Sequence, residues 1–63
     1  MATEEEMDKA VLEAEKELRQ KLEAGSATAL FVADWWTKWY MQAGHKRLGR
    51  LMVKIAKEQK KPA

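Results

Sequence analysis

The chain is predicted to be all-α: an antiparallel helical hairpin that assembles with copies of itself into a homo-oligomeric helical bundle. Three observations lead there. A capping-box signature stands at Thr3, apolar residues recur at helical spacing on both sides of Gly25, and the aromatic cluster around Trp36 exceeds what two helices can cover.

The first helix is expected at about residues 4–24. Thr3 followed by Glu4, Glu5 and Glu6 lets the Thr hydroxyl meet a free N–H at the helix start while Glu6 reaches back. Met7, Val11, Ala14, Leu18 and Leu22 then mark one face in a segment rich in Ala, Leu, Glu, Lys and Arg, all good helix formers. Gly25 supplies the left-handed conformation that ends helices at low cost, and Ser26 is the expected cap of the next. A connection that short forces an antiparallel hairpin.

The second helix is expected at about residues 27–58. At 100° per residue, Val32, Trp36, Trp39, Tyr40 and Ala43 share one face, with Trp35 at its margin. The phase then changes. Gly44, Leu48, Leu51 and Ile55, preceded by Met41, form a second seam rotated by about 140° from the aromatic face. Counted outward from Gly25, Leu22 lies opposite residue 29 or 30, Ala14 opposite Trp36, Ala10 opposite Tyr40 and Met7 opposite Ala43 or Gly44. Helix 1 therefore runs out near Gly44, and the second seam needs another chain or a fold-back. A break at Gly44 fits the phase change, yet no Ser, Thr, Asp or Asn follows to cap a new helix. Continuity through Gly44, with a kink, is the expectation; residues 59–63 are expected to be a disordered polar tail.

A 63-residue chain is one domain, close to the size at which a lone core barely offsets the entropy of folding. With no Cys and one His, self-association is the remaining support, a dimer of hairpins first. The acidic, polar first residues do not resemble a presequence, so a cytoplasmic location is expected. No stretch approaches the roughly 20 apolar residues of a membrane span. The net charge of +2 conceals a split: residues 1–25 hold eight acids and four bases, and residues 26–63 hold eight bases and two acids.

Two groups of side chains invite function. Trp36, Trp39, Tyr40, Gly44, Leu48, Leu51 and Ile55 are the expected oligomer interface, since aromatic residues of this size dominate cores and interfaces alike. Trp35, expected at the rim, joins Arg47, Arg50, Lys54 and Lys57 as candidates for holding an anion or a partner. Internal complementarity competes with that role, because the hairpin brings Glu4, Glu5, Glu6 and Asp8 near Lys46, Arg47 and Arg50. Lys54 and Lys57, expected beyond the end of helix 1, are the freer cations.

Catalysis and metal binding are not expected, nor is a cofactor. His45 has neither a second ligand nor a nucleophile to serve, and Glu13 with Glu17 lacks the Glu-x-x-His that would complete a carboxylate metal site. The predicted function is a non-enzymatic, self-associating binding or regulatory protein that offers its basic helix to an acidic protein. Two alternatives stand beside it: paired basic helices on nucleic-acid phosphates, and a small anionic ligand such as a nucleotide, stacked on Trp35 or Tyr40 and held by Arg47 or Arg50. Attachment to a membrane surface is the least favoured of the binding modes.

Overall fold

The computed structural model describes residues 3–59. Among them three α-helices pack as a small bundle: α1 (Glu4–Glu23), α2 (Ala29–Ala43) and α3 (His45–Gln59). The all-α class and the antiparallel pairing of the first two helices hold as predicted. Several details change, among them the cap of α2, the continuity at Gly44, the cover of the second seam and the buried face of α2. The expected tail begins one residue too early, because Gln59 closes α3; its residues 60–63 lie outside the described residues.

The start of α1 lies where its sequence places it, with the Thr3 half of the capping box formed and, among the described residues, no return bond between the Glu6 side chain and the Thr3 N–H. Thr3 is extended, and its Oγ1 accepts the Glu6 N–H at 3.2 Å, while Glu4, Glu5 and Glu6 sit at the positive end of the helix dipole. At the other end Gly25 adopts φ 70, its N–H donates to the Leu22 carbonyl at 3.1 Å, and the Ser26 N–H reaches back to Lys21 at 2.8 Å. That pair of bonds is a Schellman closure, which uses a glycine to satisfy carbonyls that the helix leaves free.

The expected cap at Ser26 is incorrect. Ser26 is occupied by the closure of α1, and the chain runs on to Thr28, whose Oγ1 accepts the Phe31 N–H at 3.1 Å. The link between α1 and α2 is consequently longer than the two residues expected.

Helix continuity through Gly44 is also incorrect. Gly44 takes φ 83 and ψ 150, outside the helical region. No side-chain cap is required, since the Gly44 N–H donates to the Tyr40 carbonyl at 2.9 Å and the Gly44 carbonyl accepts from Leu48 at 3.2 Å. Glycine is a fair N-cap by itself. The energetics favour the break. A turn here forgoes a few backbone bonds worth about 0.5–1.5 kcal/mol each, whereas folding α3 back buries Leu48, Leu51 and Ile55 at about 1.5–3 kcal/mol apiece.

The second seam is thus covered within the chain. Each helix contributes three buried residues: Ala10, Ala14 and Leu18; Trp35, Trp39 and Ala43; Leu48, Leu51 and Ile55. Ala10 and Ala14 leave room for the indoles, as the pairing count anticipated. Leucine at Ala14, which is fully buried, is expected to overpack this contact and cost about 1–3 kcal/mol. Thermal melts followed by circular dichroism would register a midpoint lowered by roughly 4–8 °C per kcal/mol.

The buried face of α2 is turned from the expected one by roughly 40° on a helix of 3.6 residues per turn. Trp35, expected at the margin, is only 1% exposed, and its Nε1–H donates to the Ala14 carbonyl at 2.8 Å. Trp36 is half-buried and Tyr40 exposed. A face chosen to meet α1 alone centres on Trp36 and Trp39; the cover of α1 and α3 together centres on Trp35 and Trp39. The Trp39 Nε1 is buried without a hydrogen-bond partner.

Polar bridges set the register. Lys38 of α2 reaches Glu17 at 3.1 Å. Along α1 and α3, which run parallel, Asp8 pairs with Arg47 at 3.1 Å, Glu15 with Lys54 at 3.5 Å, and Arg19 with Glu58 at 2.8 Å. Glu58, and then Glu15, hold the Arg19 guanidinium still more firmly in its charged form.

Candidate functional site

Once the core has closed, the predicted interface residues divide. Trp39, Leu48, Leu51 and Ile55 lie inside the chain's own bundle, so the expectation that the α3 seam lacks an intramolecular partner is overturned by the fold-back. Gly44 is the joint between α2 and α3. Trp36 and Tyr40 alone among the predicted set keep substantial surface, and the Tyr40 ring stacks on His45 with centroids 6.2 Å apart. His45 thereby has a packing role.

The surface around them is wider than the sequence suggested. Of the residues of α2 only Asp34 and Lys38 are charged. A helix apolar all round is normally enclosed. Here α1 and α3 cover one side only. Leu30 and Met41 point away from the core and are 80% and 82% exposed, with Ala33 and Thr37 between them and Tyr40 alongside at 45%. Leu30, Ala33, Thr37 and Met41 recur at helical spacing on the face opposite Trp39. The sequence carried that signal in the wheel position of Leu30 and Met41, but the size of the indoles drew attention to the other side.

A second surface lies between α1 and α3. Asp8, Val11 and Leu12 of α1 and Lys46, Arg47 and Arg50 of α3 line a groove of about 520 Å³. The predicted bases meet unequal fates in it. Arg47 is engaged by Asp8, with Nη1 also 3.9 Å from the Met7 Sδ, and Lys54 is held by Glu15, contrary to the expectation that it lies past helix 1. The cause is the fold-back, which carries residue 54 alongside α1 instead of away from it. Lys46, Arg50 and Lys57 form no ion pair among the described residues. Trp35, proposed from the sequence as a stacking platform, is enclosed and its N–H is committed to Ala14, so it offers no ring to a ligand. Leu12, 67% exposed, was not singled out in the sequence, because it falls off the apolar face of α1.

Among the described residues no helix is long and apolar enough to cross a membrane. A scan of protein-family models and searches of curated proteins and of solved structures found no match to the chain.

Proposed function

We propose that the protein is a non-enzymatic binding module that pairs with a second copy of itself through the outer face of α2 and presents the basic side of α3 to an acidic protein partner. The observation that carries this is the uncovered apolar stripe Leu30, Ala33, Thr37 and Met41.

The stripe suits a copy of itself. In an antiparallel pair of α2 helices, Leu30 of one copy meets Met41 of the other, and the small Ala33 and Thr37 face each other near the two-fold axis, where the backbones approach most closely. Asp34 and Lys38 share one flank, and Lys38 is already bridged to Glu17, so Asp34 is the one charge of α2 left beside the stripe, at its solvent edge. A membrane surface suits it less, because the free bases Lys46, Arg50 and Lys57 lie on α3 and none borders the stripe. A helix of this length buries on the order of 400–500 Å² per copy, at the low end of specific interfaces, and a dimer dissociating in the micromolar range is expected.

Glutamate at both Leu30 and Met41 places charge in the middle of that contact. Both side chains are exposed, so helicity and the melting of the single chain are expected to stay within about 0.5 kcal/mol of the parent. Sedimentation at roughly 100 µM, above the expected dissociation range, is expected to show a dimer for the parent chain and a monomer for the double variant. A parent chain that sediments as a monomer there would overturn the self-association.

A further inference from the structure

The groove between α1 and α3 has Val11 and Leu12 on its α1 wall and Lys46, Arg47 and Arg50 on its α3 wall. Asp8 pairs with Arg47 and Arg19 with Glu58, each pair 39 residues apart in sequence. With that offset constant along the interface, Leu12 lies level with residue 51 and Lys16 with residue 55. Lys46, Arg50, Val53 and Lys57 succeed one another at spacings of four, three and four residues, which sets them on a single stripe of α3. Val53 is 54% exposed. Val53 is the member of that stripe turned farthest from α1, so the apolar part of the face is Val11 and Leu12 of the groove, with Lys46 and Arg50 beside it, Lys57 farther along α3 and Lys16 on α1. None of these four cations forms an ion pair among the described residues.

We infer that this face docks an acidic amphipathic helix of a protein partner, with aliphatic side chains of that helix on Val11 and Leu12 and its carboxylates on Lys46, Arg50 and Lys57. Charge complementarity selects the occupant's sign. The one acid in the groove, Asp8, is already bound by Arg47 and stands at the end nearer the N-terminus of α1, so the uncompensated positive charge runs from Lys46 toward Lys57. The apolar wall selects its kind. Nucleic-acid phosphates gain nothing from the exposed Leu12 beside the part-buried Val11, whereas an aliphatic helix face gains about 25 cal/mol for each Å² removed from water. From residue 46 to residue 57 the stripe spans roughly 16 Å, three turns of a docked helix. The amphipathic helix laid in a groove is a common mode of protein recognition, read as anchors at i, i+3, i+4 and i+7.

This inference deepens the proposed function by giving the acidic partner its form, and it rests on the part of that proposal which makes the partner a protein. It does not rest on self-association, since the groove and the α2 stripe lie on different sides of the bundle. The test is fluorescence anisotropy of a labelled synthetic helical peptide with leucines on one face and glutamates on the other. A scrambled peptide of the same composition and a short DNA duplex serve as comparisons, all at two salt concentrations. The amphipathic peptide is expected to bind the parent chain about tenfold tighter than the scrambled one. The pair K46E and R50E, and separately L12S, are each expected to weaken it by about tenfold or more, with helicity retained because all three sites are on the surface. Only the charge pair should lessen the dependence on salt.

Equal binding of the scrambled peptide, indifference to the charge pair or to L12S, or tighter binding of the duplex than of the peptide would overturn the inference. The Leu30 and Met41 double glutamate variant separates the two surfaces. Its peptide affinity is expected to match that of the parent chain, and a parent chain that is monomeric yet still docks the peptide would sink the dimer while leaving the groove standing.

Discussion

Alanine at Gly44 is expected to destabilise the bundle by on the order of 1–3 kcal/mol, because φ 83 with ψ 150 belongs to a region that residues with a Cβ scarcely enter. Packing plays no part in that loss, since a Cβ placed there meets nothing within 4 Å. The same substitution at Gly49 provides the control. Gly49 lies inside α3, also with open space around an added Cβ, and alanine there is expected to stabilise by up to about 1 kcal/mol. Urea titration of the two variants should therefore move the midpoint in opposite directions.

A second effect of Gly44→Ala is structural. Alanine favours the straight helix that the parent chain avoids, and straightening withdraws α3 from α1, uncovering Leu48, Leu51 and Ile55. The α3 of another copy can fill the vacated place, giving an exchanged dimer. Such a dimer is expected to persist when Leu30 and Met41 are also glutamates, which distinguishes it in sedimentation from pairing through α2.

Phenylalanine at Trp35 and at Trp39 should give unequal losses although both indoles are buried. The Trp35 N–H has a partner, the Ala14 carbonyl at 2.8 Å, so removing the indole forfeits a hydrogen bond of about 0.5–1.5 kcal/mol in addition to opening a cavity. The Trp39 Nε1 has none, and an unsatisfied buried donor costs about 1–3 kcal/mol, which phenylalanine relieves. The loss at Trp35 is expected to exceed that at Trp39 by roughly 1–3 kcal/mol in chemical denaturation. Equal losses would mean that the Trp39 N–H finds a partner in solution.

Local chemistry was the most legible part of this chain. Thr3 with Glu6, and Gly25 after a helix of alanines, leucines and charges, act within one turn of sequence and can be read there. Ala10 and Ala14 opposite the indoles were legible too, since small residues at helical spacing in a chain rich in tryptophan have one sensible use. What escaped was non-local. Gly44 either carries a helix through or ends it, and the choice depends on whether α3 finds cover along α1, which no local signal states. The same fold-back decided that Trp35 turns inward, that Lys54 meets Glu15, and that Leu48, Leu51 and Ile55 leave the surface. The two candidate surfaces were hidden for a related reason. Leu12, Leu30 and Met41 become notable only when neighbouring leucines and tryptophans have gone into the core without them.

The ladder of ion pairs between α1 and α3 bears on the order in which the protein assembles. The hydrogen bonds between α1 and α2 join residues 21 apart and the Lys21–Phe31 contact joins residues 10 apart, whereas the ladder joins residues 39 apart. Closing the nearer contacts restricts the chain less, so the hairpin of α1 and α2 is expected to form early and α3 to dock afterwards. Interactions absent at the folding barrier act on the rate of leaving the native state and leave the rate of reaching it unchanged. Asp8 with Arg47, Glu15 with Lys54 and Arg19 with Glu58 are all partly open to solvent and hence to screening. Added salt should then hasten unfolding in stopped-flow measurements while refolding keeps its pace, making these bridges a latch on the finished bundle instead of a guide to its formation.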